Sequence, residues 1–321
     1  MDRHNWRSLL RPILVRLLQA LLVALIVGAL GFALMAALPG DQAFRLAAAR
    51  YGPDMGDATA AALVREELGL DRPRAVQFLD WIGQLLRLDL GHSLVTGEPV
   101  LEELRGQLGH TLSLAAVALP LSAILGLPLG ILSGLHPSGL ADRVTLGLSV
   151  LLRAVPAYAL GLLLVAVFSI RLGWLPPAGF EGWREFILPG LTLALGLAAL
   201  SARVTRDSVA AVSTAPYMAF ARWKGLPERA AVLRHGLRNA AIPVVALLGF
   251  QLIGLIEGLI IVESLFSWPG IGHALVHAIF ARDVPVVQGA ALLMGLLFVL
   301  VNALVDLACA TIDPRRARAG A

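Results

Sequence analysis

A chain of 321 residues with 58% apolar and only 15% charged residues, a mean hydropathy of +0.78 and a formal charge of +4 is no soluble domain. Several uncharged runs exceed the roughly 18–20 residues that cross a hydrocarbon core of about 30 Å, and no stretch alternates as a lipid-facing barrel strand does, so the spans are helices. The basic residues sit between the apolar runs, which makes them topology determinants rather than a groove for phosphates.

Residues 1–12 carry Arg3, Arg7 and Arg11, and Arg16 opens a first span from about Ile13 to Leu38. A signal peptide has an apolar region of about 7–15 residues, shorter than this one, so the segment reads as an uncleaved anchor with its basic end in the cytoplasm. From Pro39 to His110 the composition turns polar, with eleven acidic residues against seven arginines. Ala58 to Leu68 and Arg74 to Leu88 have helical spacing. A loop this long escapes the positive-inside count, so its arginines are compatible with an external location. His92 and His110 have no second ligand beside them at helical or loop spacing, which favours structural roles over metal binding.

Thr111 to Ala141 contains no Asp, Glu, Lys or Arg and gives a second span, kinked at Pro120 and Pro128. After a short cytoplasmic link at Asp142-Arg143, the third span runs from about Val144 to Ile170 and holds Arg153 and Pro156. An arginine so deep in a span must face protein or water. It either snorkels or pairs with an acid of a neighbouring helix, Glu257 being the candidate, or it lines a cavity as a cation for an anionic ligand. Trp174 and Trp183 mark a short external loop. Phe186 to Ala202 is the fourth span, followed by Arg203 and Arg206. Between residues 201 and 240, seven basic residues stand against two acidic ones, which places that segment inside. The fifth span, Ala240 to Phe266, holds Glu257 and Glu263. These acids lie about 240° apart around a helix and no nucleophile accompanies them, so catalysis is not expected. Val284 to Val305 is an uncharged sixth span, and Arg315, Arg316 and Arg318 keep the C-terminus inside. The expected fold is an all-α integral membrane protein of six helices with both termini cytoplasmic. Its parts are an N-terminus and first helix over 1–38, an external segment over 39–110, and a core over 111–321 with an inside loop at 203–240.

That loop carries the most informative order of residues. Tyr217 to Lys224 is helix-compatible, Gly225 supplies a C-cap, and Pro227 blocks continuation. A second helical run, Glu228 to Asn239, carries Arg229, Arg234 and Arg238 before Pro243. The run Tyr217-Met218-Ala219-Phe220-Ala221-Arg222-Trp223-Lys224-Gly225-Leu226, followed by Arg234-His235-Gly236-Leu237-Arg238-Asn239-Ala240 and Pro243, resembles the coupling (EAA) loop of ABC-importer permeases. The family is the dipeptide/oligopeptide/nickel one, and the likeness is to its first-permease subunit. Ala219 and Phe220 depart from the Glu and Ala of the wider superfamily. The pieces Leu88 to Leu94, Leu172 to Gly179, Val262 to Gly272, and Asn302 with Asp306 also resemble that family. Around Pro156 the family has Gly-x-Ser-x-Pro-x-Phe, so Arg153 is a departure. The likeness covers most of residues 9–316 and is weakest over 42–67.

The resemblance implies the permease subunit of an ATP-driven, binding-protein-dependent importer in the bacterial inner membrane, moving peptides or nickel, free or chelated. It implies four kinds of partner: a second homologous permease, two ATPase subunits, membrane lipid, and a periplasmic or lipid-anchored binding protein, with residues 39–110 facing that protein in the periplasm. Tyr217, Ala221, Arg222, Lys224, Gly225 and Leu226 would dock on an ATPase, with Gly225 placed where a side chain would collide. Arg153, Pro156, Glu257 and Glu263 are the candidate translocation-path residues. The only lysine, Lys224, precedes Gly225-Leu226, so the chain has no Walker A sequence, and ATP with its magnesium belongs on the partners. No cofactor, metal, nucleic acid or catalytic residue is expected in this chain. Its single Cys309 excludes an intrachain disulfide, and His235, His273 and His277 do not form a nickel site. Two other classes are weighed. An autonomous secondary transporter or channel would use Arg153, Glu257 and Glu263 for ion coupling and would show internal repeats. An intramembrane enzyme would need paired catalytic residues, which the spacing does not supply.

Overall fold

Helix makes up nearly all of the computed structural model, because a chain this apolar can satisfy its backbone only within each segment. Residues 5–312 are described, apart from 38–39, 42, 45–46, 49–57, 68, 88, 228–229, 231 and 233–235. The side chains of 5–13, 35–36, 67, 74, 81, 86, 222, 238, 242, 253, 257 and 308–312 are also outside the described set. The helices are α1 (Asn5–Ala37), α2 (Ala58–Glu67), α3 (Arg74–Leu86), α4 (Val100–Leu135), α5 (Leu140–Ala154) and α6 (Ala157–Leu164). They continue with α7 (Ile187–Ser213), α8 (Pro216–Trp223), α9 (Leu237–Leu265), α10 (Ile271–Ala281) and α11 (Val284–Ile312). Five helical segments among the described residues are long and apolar enough to cross a membrane, or six if the bent pair α5 and α6 counts as one span.

That bent pair departs from the single third span read in the sequence. The chain turns by 105° between α5 and α6. Val155 sits at φ −89° and ψ 123°, and Pro156 caps the next helix at φ −59° and ψ 147°. A residue before proline is pushed out of the helical region, and Val155 is the one that yields. Pro120 and Pro128 stay inside α4, and Pro243 stays inside α9. Beyond Leu164, α6 widens into a π-helical stretch, Val165–Arg171. Other helices overrun their expected bounds: α4 starts at Val100 rather than Thr111, and α7 reaches Ser213 rather than Ala202.

Two units organise the chain, residues 1–8, 112–268 and 301–321 forming one and residues 9–111 and 269–300 the other. In the first, Leu114 and Ala118 of α4, Leu160 and Leu164 of α6, Leu188 and Leu193 of α7, and Leu255, Leu259 and Val262 of α9 build one core. Gly126, Gly130 and Gly134 form an i, i+4, i+8 stripe on α4 that lets α7 approach closely. A Cβ added at each would stand 2.7, 2.5 and 2.7 Å from the carbonyl oxygens of Ala198, Ala202 and Arg206. Gln251 of α9, buried, donates to the Leu197 carbonyl at 2.7 Å and accepts from the Ser201 hydroxyl at 3.1 Å, tying α9 to α7.

The second unit holds its turns by side-chain caps. Asp41 accepts the Ala43 N–H at 2.9 Å and pairs with Arg65 over a small core of Ala43, Ala47, Ala61 and Val64. The Gln77 amide donates to the carbonyls of Leu70 and Arg72, each at 2.8 Å. Thr111 accepts the Ile271 N–H at 2.9 Å and so caps α10. Asp283 accepts from the buried Ser93 hydroxyl, which itself accepts the N–H groups of Val95 and Thr96 at 3.1 and 3.0 Å. Ser93 therefore stitches the loop before α4 to the start of α11.

Candidate functional site

The segment singled out in the sequence folds as a short helix hung from the end of α7. Thr214 returns its hydroxyl to Ala210 and Ala211, the turn closes with Ala215 N–H on Val212, and Pro216 begins α8 where its missing N–H costs nothing. At the far end Gly225 takes φ +84°, and the Leu226 N–H reaches back to the Ala221 carbonyl at 3.2 Å. This 6→1 bond and the contact of Leu226 with the α8 core make a Schellman cap. Gly225 is needed for its left-handed backbone. A Cβ there would meet nothing within 4 Å, so the expected collision is absent within this chain.

The two sides of α8 differ. Met218 and Ala221 are buried, packed with Val212, Leu226 and Val232. Tyr217, Phe220 and Trp223 are exposed on the other side, Trp223 by 85%, and the Lys224 ammonium lies 4.6 Å from the Phe220 ring centroid. Of the six coupling residues expected, Tyr217, Lys224 and Gly225 are thus open, whereas Ala221 and Leu226 hold the helix to its own chain. The Arg222 side chain lies outside the described residues, as does most of the run Glu228 to Asn239. Phe220 and Trp223 were passed over in the sequence reading, although their i, i+3, i+6 spacing with Tyr217 is a legible signal.

Behind α8, a clasp fixes α7 to α5. The buried Asp142 carboxylate accepts Arg206 Nε at 2.9 Å on one oxygen and Arg206 Nη2 at 2.8 Å on the other, with the Ser138 N–H at 2.8 Å. Arg206 also reaches Asp207 at 3.0 Å. Such a two-pronged pair fixes direction as well as distance. No spacing rule announces a pair 64 residues apart.

The four path candidates lie on different elements, Arg153 at the end of α5, Pro156 just past it, and Glu257 and Glu263 on α9. Arg153, exposed in the last turn of α5, makes no hydrogen bond or ion pair among the described residues, and the exposed Pro156 lies just past it. Glu263 is wholly buried near the end of α9, where its carbonyl accepts the Trp268 N–H at 2.8 Å. Trp268 is packed edge-on by Phe180 and Phe186 at 4.7 and 4.3 Å, and Gly179 N–H bonds the Phe266 carbonyl at 3.0 Å. Glu263 therefore belongs to a packed aromatic corner. The Glu257 side chain lies outside the described residues. On α10 the rings of His273 and His277 lie 4.4 Å apart, and burial, with His277 beside it, holds His273 below the ordinary imidazole range. Among the described residues, no group of three or more His, Cys, Asp or Glu could hold a metal ion.

Comparison with known proteins bears on these features. Residues 126–318 match the family model for the binding-protein-dependent transport system inner membrane component, and residues 9–115 match the model for the N-terminal part of such membrane components. The glutathione transport system permease protein GsiC of Salmonella choleraesuis (strain SC-B67) is 44% identical over 306 residues, spanning 95% of this chain and 98% of that one. GsiC of Pectobacterium atrosepticum is 44% identical over 299 residues, with 93% and 96% covered. GsiC of Escherichia coli (strain K12) is 42% identical over 306 residues, with 95% and 98% covered. A crystal structure of an amino acid ABC transporter with histidines aligns at a TM-score of 0.52 and 18% identity, covering 67% of this chain and 94% of that one, a likeness of fold alone.

Proposed function

The chain belongs to the family of binding-protein-dependent transport system inner membrane components, and from that premise we propose that it is the first-permease subunit of an ATP-driven importer of short peptides. It is a permease of a binding-protein-dependent ABC importer, a multi-pass protein of the inner membrane.

The observation that carries the mechanism is α8, with its exposed row Tyr217, Phe220 and Trp223 on a helix anchored by Met218 and Ala221. A short helix with one apolar side open is suited to a groove in a soluble partner. That partner is one of two ATPase subunits, which hold ATP and magnesium, and a second permease and an external binding protein complete the assembly. In this reading both termini and α8 face the cytoplasm, which the arginine distribution favours. Closure of the ATPases pushes α8, and α7 transmits the push because Arg206 clasps Asp142 of α5 and Gln251 of α9 grips Leu197. Tyr217, Phe220 and Trp223 form the contact, Arg222 and Lys224 its charged rim, and Gly225 its terminating turn.

Peptides of glutathione size are the cargo this reading favours, because the relatives at 42–44% identity are glutathione permeases over nearly their whole length. Uptake by cells expressing the complete operon, with labelled glutathione and labelled nickel in parallel, tests it. Trp223→Asp is the control for coupling, since so exposed a side chain can change without disturbing the chain's own core. The expected result is glutathione uptake that Trp223→Asp abolishes while the protein stays in the membrane. Nickel uptake alone would replace the cargo, and full uptake in the variant would remove α8 from the mechanism.

A further inference from the structure

We infer that Arg153 is a specificity-determining residue that receives a carboxylate of an anionic peptide cargo at the bend between α5 and α6. This deepens the peptide reading above and rests on it. Arg153 stands thirteen positions after Leu140, in the last turn of α5 and about 20 Å along that helix. Its neighbours Val150 and Leu151 are exposed and apolar. A charge among apolar neighbours in a segment read as membrane-spanning is costly unless water or a counter-charge meets it.

The bend narrows the choice. Between Ala154 and Ala157 the helical bonding is interrupted by a turn of 105°, and α6 starts at Ala157 with no side-chain cap. Interrupted backbone does not face lipid, because its freed polar groups would have no partners there; it faces protein or a wet passage. Arg153 is two residues before Val155, is exposed, and is bonded to nothing among the described residues. Arg206, by contrast, is fully engaged by Asp142 and Asp207. An open guanidinium beside that break presents the two-pronged donor geometry that a carboxylate matches. Glutathione offers two carboxylates against one ammonium, so one positive group on its route favours it over neutral peptides.

The test is uptake by the complete importer with its binding protein in lipid vesicles, comparing glutathione with its two monoamides, each lacking one carboxylate charge. Wild type, Arg153→Gln and Arg153→Lys are measured. Arg153→Gln should lower kcat/KM for glutathione about tenfold and leave at least one monoamide within about twofold of wild type, as loss of one charge-assisted pair predicts. Arg153→Lys should fall between, keeping the charge and losing the fork. The binding protein's own preference cancels, because it is common to both arms. Equal losses for all three cargoes would overturn the inference and assign Arg153 to a protein acid, such as Glu257 or one on the second permease. Unchanged uptake of all three would overturn it in favour of a snorkelling side chain. Wild-type vesicles that move nickel but no peptide would sink the peptide reading itself.

Discussion

The two ends of α5 show how one helix can be locked at its start and open at its finish. At the start, Asp142 is buried, held by both prongs of Arg206 and by the Ser138 N–H, where Ser138 itself takes φ +66°. At the finish, Arg153 is exposed without a partner among the described residues, and the chain breaks at Val155 and Pro156. An arginine stands at each end, Arg206 of α7 against the start and Arg153 of α5 itself at the finish. What differs is that Arg206 meets an acid, Asp142, from an element 64 residues away, whereas Arg153 meets none among the described residues. In the proposed mechanism the locked end serves coupling and the open end meets cargo.

Substitutions at the two ends should therefore separate. The largest effect belongs beside the clasp, where Gly134→Val would drive its Cβ to 2.7 Å from the Arg206 carbonyl and from Val209 Cβ. Backbone cannot yield as a flexible side chain can, and about 3 kcal/mol or more of stability should go, read as loss of detergent-stable protein. Next comes Asp142→Asn, which keeps the volume but leaves Arg206 without its main counter-charge. The thermal midpoint should fall clearly, and adding Arg206→Gln should cost less than the sum of the single changes. Additive losses would mean the clasp is no unit. Gly225→Ala should cost about 1 kcal/mol, because its φ of +84° disfavours a side chain although space is free. Gly225→Asn, which tolerates that backbone better, should recover part of the coupled ATPase activity. Smallest is Arg153→Gln, whose thermal midpoint should match wild type within about 0.5 kcal/mol equivalent. A large loss there would show that the open end is structural after all.

Much of α8 was legible in advance. Gly225 followed by Leu226 and Pro227 is a helix stop in any context, and the cap formed on those residues. What the sequence could not convey was which side of α8 turns inward, because Met218, Ala221, Tyr217 and Phe220 are all compatible with either side. Contact with Val212 and Val232 decided it. The reason given for Gly225 needed correcting as well, from collision to backbone conformation. Prolines make the same point. Pro120, Pro128, Pro156 and Pro243 look alike in apolar runs, yet only the residue before Pro156 leaves the helical region, by 105° of bend.

Hydropathy by itself determined that the chain is helical and crosses a membrane, because apolar segments in lipid must satisfy their backbone internally. The arrangement of arginines set the expected orientation, and the loop from Tyr217 to Pro243 indicated the family. Tertiary structure alone decided which polar residues are engaged. Arg206 found Asp142 across 64 residues, Gln251 found Leu197 across 54, and Ser93 found Asp283 across 190. Such pairings depend on which helices come to lie side by side, and local spacing carries no record of that.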